Sequence, residues 1–263
     1  MNSAEPRLIA ISRIQNSNQW RNEALRSYSV DQLIWFTRGQ GRITVGGVTR
    51  GFSGNNAVFI PSGTMHSLQP GAQTFGHNLF FGAGHNLSLP TVPLHLRIRD
   101  NRDQNELNQL FDWLQREAES DRPARVQAMG FLCGSISVWL ERNRLHHDDA
   151  MEANDASRRL MRKFATLVEK DFASEKSAGD YAREMNVTTT HLTRVCRTIS
   201  GLTASEFLAD RKFAEARRLL VDTREPVKDI SKALGYRSPA YFSRVFSNKA
   251  GKSPGAFRKS GRP

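Results

Sequence analysis

The hydrophobic pattern of the chain changes period near residue 105. Between residues 28 and 82 the apolar and β-branched residues come in short runs, "DQLIWF", "GRITVGG", "NAVFIPSG" and "TFGHNLFF", divided by Gly, Asn and Pro. Runs this short, bounded by turn residues, predict strands. Their regular spacing predicts an antiparallel sandwich or small barrel. In "TFGHNLFF" a period of two puts Phe75, His77, Leu79 and Phe81 on one face. Further on, Leu107, Leu110, Phe111 and Leu114 fall at i, i+3, i+4 and i+7, the mark of an amphipathic helix. Pro123 fits the start of a second helix with a stripe of Met129, Leu132, Cys133, Ile136, Trp139 and Leu140. Faces this broad need covering, by the barrel or by a second copy of the chain. "HHDDAMEANDAS", residues 146 to 157, reads as a polar connector. Its His146-His147 beside Asp148-Asp149 is read as solvated linker rather than as a metal cluster. Leu160, Phe164, Leu167 and Val168 then open an all-helical segment.

Within that segment the chain repeats itself. "HLTRVCRTISGLTASEF" at 191–207 aligns with "YFSRVFSNKAGKSPGAF" at 241–257, an offset of 50 residues. Leu192 matches Phe242, Arg194 matches Arg244, Val195 matches Val245, Gly201 matches Gly251 and Phe207 matches Phe257. Upstream, "YAREMNV" matches "ISKALGY" at an offset of 49, so the second unit has one extra turn residue. Each unit reads as short helix, tight turn, second helix, then Gly and a new helix start. Asn186 and Gly235 occupy the turns, as residue types that tolerate a left-handed backbone. Ser238-Pro239 reads as an N-cap with Pro at the first helical position, and Thr203-x-x-Glu206 has capping-box spacing. Two helices crossed by a short turn form a helix-turn-helix.

Phe242, Val245 and Phe246 share one stripe of the second unit's second helix. Pro239, Ala240, Ser243 and Arg244 lie off it, near the helix start, where a recognition helix meets base edges. The matching set in the first unit is Thr189, Thr190, Thr193 and Arg194. An arginine fork can bond guanine O6 and N7 together, so Arg194 and Arg244 are the candidate base readers. Arg197, Arg237 and Lys249 complete the candidate DNA contacts. Cys196 stands where the second unit has Phe246, which predicts a thinner core. Thr189-Thr190 replaces the proline start. The first unit is therefore expected to supply more backbone contact and the second more discrimination.

Charge points the same way. The formal net charge is +12. From residue 158 onward there are 23 Lys and Arg against 11 Asp and Glu, whereas residues 1–157 hold 15 of each. All the excess therefore lies in the C-terminal two-fifths, as expected of a segment that meets a polyanion. No apolar run reaches the roughly 18 residues of a membrane span, and "MNSAEPRLIAISR" lacks the order of a signal peptide. Cys133 and Cys196 make no disulfide framework and fit a reducing cytoplasm.

Ile230, Ala233, Gly235, Tyr236, Tyr241, Phe242, Ser243, Arg244, Phe246, Gly251, Ser253, Pro254, Phe257 and Arg258 stand at fixed spacing. The pattern resembles the C-terminal signature of the arabinose-regulator (AraC/XylS) transcription factors, over about residues 157 to 260. The resemblance implies two helix-turn-helix units joined by a long helix, here about 203 to 220. It also implies a sensor domain ahead of them. "FIPSGTMHSLQP", 59 to 70, resembles the P-x-G-x-x-H turn of cupin barrels, which such sensors often use. A metal cupin also carries H-x-H and a Glu, and "RSYSVDQLIWF" has neither His nor Glu. His66 and His77 alone fall short of the three or four ligands a metal wants, so no metal or cofactor is expected.

The expected fold is α+β in two domains. Residues 1–100 form a cupin-like antiparallel barrel, 101–150 a helical pair that could dimerise, and 157–263 an all-α domain with two helix-turn-helix units. Arg26, Trp35, Phe59, His66 and His77 are the candidate effector-binding residues, with Trp35 stacking on an apolar or sugar face and Arg26 clamping a carboxylate. Trp35, Phe59 and His77 could equally fill a dry core. The expected protein is a cytoplasmic regulator of transcription, not an enzyme. Its expected partners are double-stranded DNA, a small-molecule effector, RNA polymerase and a second copy of itself, with no membrane. The alternatives are a metal-cupin enzyme fused to a DNA-binding domain, a regulator without ligand, and an architectural protein that binds DNA by charge alone.

Overall fold

The computed structural model describes residues 5–12, 24–146 and 156–261. The polar connector with His147, Asp148 and Asp149, and much of the first 20 residues, lie outside the described residues. The chain divides into two compact units, residues 1–23 with 27–155, and residues 24–26 with 156–263.

In the first unit, β1 (Arg7–Ala10), β7 (Phe75–Phe80), β2 (Gln32–Arg38), β5 (Asn56–Ile60) and β8 (Leu94–Arg97) form a five-stranded sheet in that order. A second sheet has the order β4 (Val48–Ser53), β3 (Gln40–Val45), β6 (His66–Pro70). Adjacent strands are antiparallel, with Trp35 opposite Ala57 on one side and His77 on the other. Among the described residues the ladders end at β1 and β8 and at β4 and β6. The expected closed barrel is thus two open, facing sheets. Ile34, Phe36, Val58 and Ile60 of the larger sheet meet Ile43, Phe52 and Leu68 of the smaller, and Phe36 stacks on Phe52 at 3.8 Å.

The other face of the larger sheet is covered by helices. α1 (Asn101–Ala118) and α2 (Arg125–His146) bury Leu107, Leu110, Phe111, Leu114, Met129, Cys133, Ile136, Trp139 and Leu140 against Leu33, Trp35, Ala57, Phe59, Leu79 and Phe81. The stripes are therefore covered within the chain. β2 is buried on both sides, which is why "LIWF" shows no polar alternation. Pro123 does not open α2: Ala124 follows it at φ +61°, and the helix starts at Arg125. Phe75, expected on the same face as His77, is about half exposed at its strand end.

The second unit is helical: α3 (Ala156–Asp171), α4 (Ala178–Glu184), α5 (Thr189–Ser200), α6 (Ala204–Asp222), α7 (Val227–Ala233), α8 (Pro239–Ala250) and α9 (Pro254–Gly261). The pair α4–α5 repeats as α7–α8. α5 and α8 each span 12 residues and end on left-handed glycines, Gly201 and Gly251. Cys196 is fully buried. In the second pair the rings of Phe213 and Phe257 both meet Phe246, at 5.2 and 5.4 Å. In the first, where Cys196 replaces that ring, Phe164 of α3 and Phe207 of α6 meet each other at 5.6 Å. Burial pushes both thiols, Cys133 and Cys196, up to about 12.

Candidate nucleic-acid interface

Each helix pair is framed by short-range chemistry. Ser177 and Asp180 cap the start of α4 reciprocally, and Thr203 and Glu206 do the same for α6, which depresses the Asp180 and Glu206 carboxyls. Asn186 turns α4 into α5 at φ +57°, and Gly235 turns α7 into α8 at φ +70°. A Cβ on Gly235 would overlap the carbonyl oxygens of Ala173 and Ser174, so space as well as conformation requires glycine there.

Those same carbonyls belong to the segment that ties the unit together. Lys212 of α6 is buried, donates to the Ser174 oxygen at 2.8 Å and lies 5.3 Å from the Tyr236 ring. Burial lowers its pKa. Arg211 grips Glu169 of α3 with two hydrogen bonds, 2.7 and 3.0 Å, and its guanidinium lies 3.8 Å from the Phe172 ring. Arg258 donates to the backbone oxygens of Leu220 and Glu225, so this signature arginine holds α9 to the end of α6.

On α5 the buried side is Leu192, Val195 and Cys196. Thr190, Thr193, Arg194 and Arg197, at i, i+3, i+4 and i+7, form the opposite stripe; Thr193 is half-buried and the rest are exposed. On α8, Phe242 and Phe246 face inward. Pro239, Ala240 and Arg244 are exposed and Ser243 is half-buried. The expected positions thus stand together on one face of each second helix, toward its N-terminal end except for Arg197, which lies in the last turn of α5. Thr188 and Ser238 cap these helices, each side chain accepting a backbone N–H three residues on.

Two expected contacts are engaged elsewhere. Lys249, in the last turn of α8, pairs with Asp210 of α6 and lies 5.2 Å from the Phe213 ring. Arg237 pairs with Glu175 at 3.0 Å, both side chains being largely exposed. Two residues not expected also stand on the reading face. His191 Nδ1 lies 3.1 Å from a guanidinium nitrogen of Arg194, and Arg244 lies 5.4 Å from the ring of the half-exposed Tyr241. The signal was present, since the aligned repeats open on His191 and Tyr241; the difference between imidazole and phenol concealed it.

The four candidate effector residues of the first unit fall on both sides of the larger sheet. Trp35 and Phe59 face the helical layer, and Trp35 Nε1 donates to Asn108 at 2.8 Å. His77 lies in the same layer, stacked near Phe111 at 5.7 Å and 3.1 Å from the Gln115 oxygen. Burial lowers its pKa against the opposing pull of that hydrogen bond. His66 is buried on β6, 3.0 Å from the Thr64 oxygen and beside Tyr28, and Arg26 falls in the second unit. Period two reveals which side chains share a face of the sheet but not which face looks inward. Gln32 and Asn78 were missed: both are buried, 3.4 Å apart, and the Asn78 oxygen has no hydrogen-bond partner. Among the described residues no three His, Cys, Asp or Glu side chains form a metal-binding group, and no helix is long and apolar enough to cross a membrane.

Residues 181–260 match the family model described as "Helix-turn-helix domain". The Msm operon regulatory protein of Streptococcus mutans is 24% identical over 50% of this chain and 46% of its own length. The HTH-type transcriptional activator RhaR of Klebsiella pneumoniae is 26% identical over 60% of this chain and 55% of its own. The chain therefore spans about half the length of the curated relatives it matches. A solved structure of a transcriptional regulator from Chromobacterium violaceum, described as AraC-type, is 24% identical with a TM-score of 0.36, covering 41% of this chain and 96% of that one.

Proposed function

We propose that this chain, whose C-terminal domain is a helix-turn-helix domain of the AraC/XylS type, is a sequence-specific DNA-binding regulator of transcription. The observation that carries the reading is the repeated face: two pairs, α4–α5 and α7–α8, each set an exposed arginine, Arg194 or Arg244, beside small polar residues near a capped helix start. Both pairs are helix-turn-helix units in this reading, and α5 and α8 enter successive major-groove segments. α6, with 19 residues, is roughly 28 Å long at 1.5 Å per residue, against about 34 Å per turn of duplex. The excess of lysine and arginine in this half supplies the sequence-independent attraction.

The test begins with a duplex selected from a random library by the full chain. Arg244→Ala should weaken binding to that duplex by about 1–3 kcal/mol and flatten the preference at one base pair. An equal loss on all sequences would confine Arg244 to phosphate and remove base reading from the account.

A small-molecule effector is the second part of the proposal. The buried Asn78 oxygen, beside Gln32 and on the side of the larger sheet that faces the smaller, has no hydrogen-bond partner, and a ligand donor would satisfy it. The effector site proposed is therefore the interior between the sheets, not the helical layer that holds Trp35, Phe59 and His77. Asn78→Leu should abolish an effector's influence on DNA binding without altering binding in its absence. An unchanged response would exclude the interior.

A further inference from the structure

We infer that His191 and Tyr241 form a duplicated positioning device, in which a ring three residues ahead of each reading arginine holds its guanidinium in place before DNA arrives. The inference rests on the proposed DNA-reading role of Arg194 and Arg244 and adds the residues that prepare them.

Residues three apart on a helix share a face, so His191 can reach Arg194 and Tyr241 can reach Arg244. Both do. A guanidinium nitrogen of Arg194 lies 3.1 Å from His191 Nδ1. Arginine can only donate, so Nδ1 must accept, and the imidazole proton sits on Nε2. The Arg244 guanidinium lies 5.4 Å from the centre of the Tyr241 ring, within the roughly 6 Å reach of a cation–π contact. The backbone that carries each ring is fixed by the helix cap. The backbone N–H of His191 donates to the Thr188 hydroxyl and that of Tyr241 to the Ser238 hydroxyl, at 3.1 and 3.3 Å.

A single exposed contact of this kind would be ordinary surface decoration. Here the ring, the arginine and the capping hydroxyl recur at one offset of 50 residues: 188, 191 and 194 become 238, 241 and 244. The ring and the capping residue change type while the spacing stays. A free arginine carries much rotamer freedom, and ordering it on the duplex costs affinity. A ring that restricts the side chain beforehand lowers that cost. The two units do this differently. A nitrogen lone pair fixes direction, whereas an aromatic face limits only the volume that the cation explores.

The probe is the selected duplex with its single-base variants, bound by the full chain. Tyr241→Leu should weaken binding roughly two- to fivefold, the scale of an exposed cation–π contact. The loss should fall on the base pair that Arg244 reads, and Tyr241→Phe should bind as the parent does. In an Arg244→Ala background Tyr241→Leu should cost nothing more. The same pattern is expected for His191→Leu, silent in Arg194→Ala, with His191→Asn retaining function because its amide oxygen replaces Nδ1. Losses that multiply in the double variants, or a Tyr241→Phe as damaging as Tyr241→Leu, would overturn the inference and make the rings direct DNA contacts. A parent chain that enriches no sequence would overturn the DNA reading and this inference together. A selective parent with unaffected ring variants would overturn this inference alone.

Discussion

The pairs α4–α5 and α7–α8 agree in helix length and in the caps of their second helices, yet their interiors are filled differently. In the second, Phe242 and Phe246 join Phe213, Tyr236 and Phe257 with centroids 5.2 to 5.8 Å apart. In the first, Cys196 takes the place of Phe246, and the rings that meet are Phe164 with Tyr181 and with Phe207, at 5.7 and 5.6 Å. The repeat therefore prescribes caps, turns and reading positions, while neighbouring helices adjust to fill each core. Phe164 of α3 serves the first pair as Phe213 of α6 serves the second, and Phe207 serves the first as Phe257 serves the second.

The sharpest way to break this comparison is to hollow out each core in turn. Phe246→Ala should cost about 3–5 kcal/mol, because three rings lose their common partner. Cys196→Ala removes one sulfur from a site already closed by its neighbours and should cost about 1 kcal/mol. Urea unfolding of the full chain, followed through its helical signal, measures both; equal losses would mean the two cores are not differently built. The turns come next. Gly235→Ala should cost at least about 1–2 kcal/mol for its left-handed backbone, besides displacing the 173–174 carbonyls. Asn186→Gly should stay within about 0.5 kcal/mol. A tolerated Gly235→Ala would show that the loop beside it moves freely. The smallest effect concerns the cations. Lys249→Ala should leave the salt dependence of DNA binding unchanged, since Asp210 already holds that lysine. Arg197→Ala should lower the slope by up to about one unit. A reversed result would move the phosphate contacts of the second pair to the end of α8.

Much of the C-terminal unit was legible in the sequence because its signals are local. A left-handed turn needs Asn186 or Gly235, a helix start needs Ser238-Pro239, and an apolar stripe needs three- and four-residue spacing. The exposed face of each helix, proposed to read DNA, followed from them. What the sequence concealed was long-range. Lys249 looks free until Asp210, 39 residues away, is placed beside it. The strands around "DQLIWF" were legible, but β2 is covered by helices on one side and by a second sheet on the other. Nothing in the alternation of Trp35 with Ile34 and Phe36 tells which side encloses a ligand. Trp35, Phe59 and His77 therefore fall on the helix-covered side of the sheet, whereas His66 falls between the sheets. The short strands β1, β6 and β8 owe their pairing to partners farther along the chain and give weak signals of their own, whereas β4 pairs with its immediate neighbour β3 across Gly46-Gly47.

Helix α6 has a double membership that bears on whether the C-terminal half can be divided. Phe207, near its start, closes the first core, and Phe213, two turns on, opens the second. Arg211 and Lys212 meanwhile fasten it to α3 and to the loop beyond. No cut between 204 and 222 yields two self-sufficient modules, for each fragment would forfeit a wall of its own interior. The duplication is one indivisible body, and the separation between its two reading helices is set by a single rod.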